Sequence, residues 1–103
     1  MIANEEKIYS LLGFAQKAGK IHSGEETVLS KVNKKSASLL IVVEDASEDT
    51  KNKMENAAER HGIPFLVFGT KGELGLSMGK SPRNAALIMD RGFAETLQKY
   101  IKI

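Results

Sequence analysis

The chain has 103 residues, 42% hydrophobic and 27% charged, with a net charge of +2 and no Cys. That supports one compact domain, not two, and excludes a disulfide or a thiolate metal site, which fits a reducing compartment. No run approaches the ~18 apolar residues of a membrane span, and Met1–Glu6 lacks the basic start and apolar run of a signal peptide, so a cytoplasmic protein is expected.

The first predicted element is a helix over residues 4–18. Ile8, Leu11, Leu12 and Ala15 share one face, Asn4 is placed to cap it, Gly13 permits close packing and Gly19 ends it. A short strand at residues 20–22 leads into a helix over 24–34. Ser23 and Glu26 have the spacing of a capping box, with Glu25 and Glu26 suiting the positive end of the helix dipole. Val28, Leu29 and Val32 are its expected inward face, and Lys31, Lys34 and Lys35 its basic end.

Residues 38–43 hold the clearest strand. Leu39-Leu40-Ile41-Val42-Val43 is a continuous apolar run, as a strand covered on both faces requires. Glu44 and Asp45 follow, and Ser47 caps a helix whose buried side is Met54, Ala57 and Ala58. Gly62 and Pro64 stop that helix, and residues 65–68 read as a second buried strand, completing a parallel βαβ unit. A short helix over 71–78, a polar loop over 79–83, a strand over 84–89 and a final helix over 93–101 complete the chain. Alternating elements of this kind predict an α/β protein, a three-layer α/β/α sandwich.

Charge is uneven along the chain. Residues 1–35 carry six Lys against four Glu, residues 36–60 six acids against three bases, and residues 61–103 six bases against three acids. A basic face on a near-neutral chain is compatible with an RNA partner. The second helix start offers free amides to anions, but two carboxylates suit base-edge donors better than bare phosphate, with Lys17, Lys20 and Lys31 around it to hold a backbone.

Enzymatic constellations do not assemble. Gly79-Lys80-Ser81 lacks the first glycine of a phosphate-binding loop, since position 74 is Leu, and Pro82 and a strand follow where a helix should. His22 and His61 have neither metal spacing nor a nucleophile partner. Glu44 and Asp45, with Lys71, form an acid-chemistry candidate at the carboxyl end of the central strand. A polar strand-to-helix turn is the preferred reading of the two acids, because turns there are usually polar.

Several segments, in order, carry a resemblance. They are Leu11-Leu12-Gly13-Phe14-Ala15-Gln16-Lys17-Ala18-Gly19-Lys20, Ser23-Gly24-Glu25-Glu26, Leu40-Ile41-Val42-Val43-Glu44-Asp45-Ala46, Ile63-Pro64-Phe65, and Lys71-Gly72-Glu73-Leu74-Gly75 with Gly79-Lys80. Together they resemble the kink-turn RNA-binding ribosomal protein family, in particular its small bacterial YlxQ-type members, over nearly the whole chain. The resemblance implies a four-stranded mixed sheet and a non-enzymatic protein without a cofactor. It also implies docking on sharply bent RNA with tandem sheared G·A pairs.

Carried over by position, one implied RNA surface is Gly24, Glu25, Glu26, Thr27 and Ser30, with Lys31 beside it. The other is the loop Lys80, Ser81, Pro82, Arg83 and Asn84, with Glu44 close to both. The archaeal pattern at the second helix is Gly-Thr-Asn-Glu-x-x-Lys. Here Glu25 replaces Thr, Glu26 stands for Asn, Thr27 for Glu and Ser30 for Lys. An ionised Glu26 accepts from guanine N1–H or N2–H₂ but donates to nothing. Proposed roles are Glu26 and Thr27 for base edges, Gly24 for close backbone approach, and Lys17, Lys20, Lys31, Lys80 and Arg83 for phosphates. The expected partner is a ribosomal or regulatory RNA bound by a monomer. The rival reading is a protein-interaction module on the same fold, its acids meeting a basic partner.

Overall fold

The computed structural model describes residues 5–101. Its elements are α1 (Glu5–Lys17), β1 (Ile21–Ser23), α2 (Glu25–Lys31), β2 (Leu39–Val42), α3 (Glu48–Arg60), β3 (Phe65–Val67), α4 (Lys71–Ser77), β4 (Ala85–Ile88) and α5 (Arg91–Ile101). The expected Asn4 cap lies outside the described residues. The strands form one mixed sheet in the order β1-β4-β2-β3. β2 runs parallel to β3 and antiparallel to β4, and β1 is antiparallel to β4. α1 packs on α4 and α5, and α2 packs on α3. This is the expected α/β/α sandwich with a four-stranded mixed sheet.

The apolar runs explain the middle of the sheet. Every residue of β2 and β4 is buried, because these two strands are inner strands covered by helices on both faces. Ile8, Leu12 and Ala15 of α1, Val28 of α2, Met54, Ala57 and Ala58 of α3, and Leu97 of α5 close over them. Gly13 brings α1 against α4, since a Cβ there would stand 3.0 Å from the Ser77 carbonyl oxygen.

Four expectations need correction. β3 is not buried like β2: Val67 is 44% exposed, because β3 is an edge strand. α2 ends at Lys31, so Lys34 and Lys35 lie in the turns beyond it. Leu29, about 100° around the helix from buried Val28, faces solvent. α5 begins at Arg91, two residues early, because Asp90 Oδ2 accepts from the Phe93 amide at 2.8 Å and caps it.

Direction along the strands sets which loops meet. β1 enters the sheet after Lys20 and leaves at Gly24, and Ser23 pairs with Ala86 near the start of β4. Val42 pairs with Ala85 and Val67. One end of the sheet therefore collects the start of α2, the turn after β2, the start of α4 and the loop before β4. Lys20, the loop over 33–38, the end of α3 and the start of α5 gather at the other end.

Candidate nucleic-acid interface

At the first of these ends, Gly24 turns the chain from β1 into α2. Its φ is +97°, where a Cβ is strained, and its amide donates to the Ala85 carbonyl at 3.0 Å. Gly24, not Ser23, occupies the N-cap, and no side chain caps α2. This overturns the capping box. Ser23 is instead the last residue of β1, and its hydroxyl accepts from Arg83 Nε at 3.1 Å.

The loop over 79–84 is held from behind. The Lys80 amide donates to the Gly75 carbonyl at 2.8 Å, and the Arg83 amide to the Lys71 carbonyl at 3.0 Å. α4 approaches so closely that a Cβ on Gly75 would overlap the Ser81 carbonyl group and stand 3.0 Å from the Lys80 oxygen. Gly75 is buried for this reason, a role beyond the backbone flexibility its position suggests. In front, Arg83 Nη1 donates to Ser81 Oγ at 2.8 Å, so one guanidinium joins the loop to β1.

Glu25 makes the second tie. Its Oε2 accepts from Asn84 Nδ2 at 2.9 Å and from Thr50 Oγ1 at 3.4 Å, and Thr50 Oγ1 also receives the Ser47 hydroxyl at 3.1 Å. A carboxylate only accepts, so the amide nitrogen of Asn84 must face it. The starts of α2, α3 and β4 thus share one polar network. Thr50, 8% exposed, is its buried member.

Ser23 to Thr27 on one side and Pro82 to Asn84 on the other wall a groove of about 580 Å³. Glu26 and Thr27 are exposed on its rim. A neighbouring depression of about 370 Å³ is shared by Gln16, His22, Thr27, Lys80 and Arg83. Gln16 and His22 were not anticipated. They come from α1 and β1, and only the tertiary packing brings them beside Lys80. Ser81 is exposed on the loop.

The other anticipated residues do not wall the groove. Ser30 lies further down α2, its hydroxyl donating to the Thr27 carbonyl at 2.8 Å. Glu44 is exposed in the turn after β2, its amide donating to the Gly69 carbonyl at 2.7 Å. Asp45 is a turn-builder, since its Oδ1 accepts from the Lys71 amide at 2.9 Å and secures the start of α4. Lys20 and Lys31 stand back from the start of α2, and Lys17 closes α1. β1 alone separates Lys20 from Gly24 by about 13 Å, and Lys31 ends α2.

The comparisons with known proteins agree with one another. The model of the ribosomal protein L7Ae/L30e/S12e/Gadd45 family matches residues 6–98. The RNA-binding protein YlxQ of Enterococcus faecium is 32% identical over 99 residues, 96% of this chain and 95% of its own. The RNA-binding protein YlxQ of Bacillus subtilis (strain 168) is 34% identical over 89 residues, 86% of this chain and 89% of its own. A protein with unknown function from Bacillus halodurans C superposes with a TM-score of 0.90 at 34% identity, over 96% of this chain and all of that one. The Giardia lamblia 15.5kD RNA binding protein superposes with a TM-score of 0.75 at 28% identity, over 96% of this chain and 91% of that one.

Proposed function

Because the chain belongs to the ribosomal protein L7Ae/L30e/S12e/Gadd45 family, we propose that it binds structured RNA, and a kink-turn in particular. The observation that carries this reading is the groove. The start of α2 and the loop before β4 form two walls, cross-bonded by Arg83 to Ser23 and by Asn84 to Glu25. Bent RNA presents exposed base edges and a distorted backbone, and a preformed two-walled groove suits both.

The chemistry of the walls is weighted towards acceptors. Glu26 offers a carboxylate, and Asn84, with Nδ2 turned to Glu25, keeps Oδ1 available. These suit guanine N1–H and N2–H₂ in sheared G·A pairs. Thr27 adds a hydroxyl that donates or accepts, Gly24 lets the RNA backbone approach, and Pro82 covers an unstacked base. Lys80 and Arg83 meet phosphates. Glu25 positions Asn84 rather than reading RNA itself. The protein acts by binding, without catalysing a reaction, on a ribosomal or regulatory RNA of the cytoplasm.

The test is a gel shift with a kink-turn RNA and with a control whose G·A pairs are replaced, over a salt series. Tight binding to the first alone, weakened by Glu26→Ala and by Arg83→Ala, is the expected result. Equal weak binding to both, lost steeply with salt, would refute it, since that is the signature of phosphate contact alone.

A further inference from the structure

The two ends of the sheet carry opposite charge. The first turns of α2, α3 and α4 bring Glu25, Glu26, Glu48, Asp49 and Glu73 to the groove end, and the turn after β2 adds Glu44 and Asp45. Lys51, Lys71, Lys80 and Arg83 only partly offset them. At the far end, α1, α2 and α3 finish in Lys17, Lys31 and Arg60, and the turns add Lys20, Lys34 and Lys35. Basic residues in last helical turns complement the dipole and need no ligand. Lys20, Lys34 and Lys35 lie outside any helix, so that account does not cover them.

Two of these three border a cleft of about 740 Å³, and Lys34 lies in the turn next to Lys35. Lys20, Lys35 and Arg91 line it, with Ser36, Ser38 and Gln98 between them. Its two acids, Asp90 and Glu95, lie on the Arg91 side, which leaves the lining one net positive charge carried by the two lysines. Asp90 Oδ2 accepts from the Phe93 amide at 2.8 Å, and Glu95 lies 3.5 Å from Arg91 Nε. Among the described residues, Lys20, Lys34 and Lys35 have no acidic partner within ion-pair distance. The result is an exposed cleft in which the unpaired Lys20 and Lys35 ammonium groups stand beside Ser36, Ser38 and Gln98, side chains of the kind that contact a sugar-phosphate backbone.

We propose that this cleft binds the backbone of a second RNA segment, at the opposite end of the molecule from the groove. The choice of polymer rests on the RNA-binding reading; the location and the phosphate chemistry rest on the cleft. The molecule measures 30 × 27 × 26 Å, so a short RNA seated in the groove leaves the cleft open. One protein then holds two RNA segments, a bent one read by its base edges and a regular one gripped by charge.

The test loads the full chain with a short unlabelled kink-turn RNA and adds a labelled plain duplex without G·A pairs. The expected result is a ternary complex whose duplex arm is lost on raising salt before its kink-turn arm. The triple variant Lys20→Glu, Lys34→Glu, Lys35→Glu should bind the duplex at least about tenfold more weakly, with a salt slope flatter by about two to three. It should keep its preference for the kink-turn. All three lysines are exposed, and the Gln versions should move duplex binding the same way, by less. One-for-one displacement of the duplex by kink-turn RNA would overturn the proposal, as would an unchanged duplex affinity in both triple variants. Lysine-dependent binding of anionic phosphatidylserine vesicles in preference to the duplex would also overturn it. If the protein failed to distinguish the kink-turn from its control, lysine-dependent duplex binding would still uphold the cleft.

Discussion

Glu25 is where the start of α2, the start of α3 and the loop before β4 meet. Replacing it by Ala leaves the Asn84 amide and the Thr50 hydroxyl without their acceptor. Lost hydrogen bonds to a charged, half-buried group cost about 1.5–3 kcal/mol. Glu25→Ala should therefore lower stability in urea unfolding by that order and weaken kink-turn binding by releasing the loop. Asn84→Ala should weaken binding with a smaller stability loss, because the carboxylate it abandons can turn to water. If Glu25→Ala binds normally, the tie does not position the loop. Glu25 was visible in the sequence only as a helix-start acid. Its partners are 25 and 59 residues away, and no local pattern points to them. Tyr9 is a second such residue. Its ring lies 5.2 Å from that of Phe68, and its hydroxyl donates to Glu73 Oε1 at 3.1 Å. Burial, and then the neighbouring Glu73 carboxylate, push the phenol well above its ordinary range. A raised pKa in the folded state favours the protonated form. The contribution is complete below the unfolded value of about 10 and is lost as pH rises beyond it. Unfolding measured at about pH 8 and about pH 11 should show a larger alkaline loss in the wild type than in Tyr9→Phe; equal losses would contradict the assignment.

Two serines compare well at the scale of the element. Ser47 and Ser23 both precede acidic first turns, and sequence pattern treats them alike. Ser47 caps α3, accepting from the Thr50 amide at 3.1 Å, whereas Ser23 ends β1 and accepts from Arg83. The difference is tertiary. Pairing of Ser23 with Ala86 holds it in the sheet, and Gly24 takes the turn at positive φ. Ser47→Ala should cost about 1 kcal/mol in thermal or urea unfolding. Ser23→Ala should cost less and should show itself in RNA binding, through a loosened Arg83. Equal stability losses would count against this distinction. The buried runs of β2 and β4 and the capping of α3 were legible because they depend on their own residues. The ends of α2 and α5 and the exposure of β3 were not, since they depend on what packs alongside. Gly75 shows the same limit, its use being a close approach to a loop six residues on. Gly75→Ala should push that loop from α4, lowering stability by about 1–3 kcal/mol and weakening kink-turn binding, even though alanine is the better helix former.

At the scale of the whole molecule, the uneven charge visible along the sequence becomes a separation along the strands. Sequence order alone hides this, because α1, α2 and α3 each place an acidic first turn and a basic last turn at opposite ends of the sheet. The proposed base-reading groove then sits in the acidic end, which repels RNA at long range, while the basic end attracts it. On the proposed reading, capture and recognition are accordingly distinct events. Neutralising the start of α3 with Glu48→Gln and Asp49→Asn touches no hydrogen bond of the groove network, yet removes two negative charges near it. We expect faster association with kink-turn RNA at low salt, by about two- to tenfold, with an unchanged dissociation rate. The Debye length shrinks from about 30 Å at 0.01 M to about 8 Å at 0.15 M, so the advantage should fade over that range. Stopped-flow association across a salt series measures this directly. A slower dissociation rate instead would mean that these acids oppose bound RNA at contact distance, placing the start of α3 inside the interface rather than beside it.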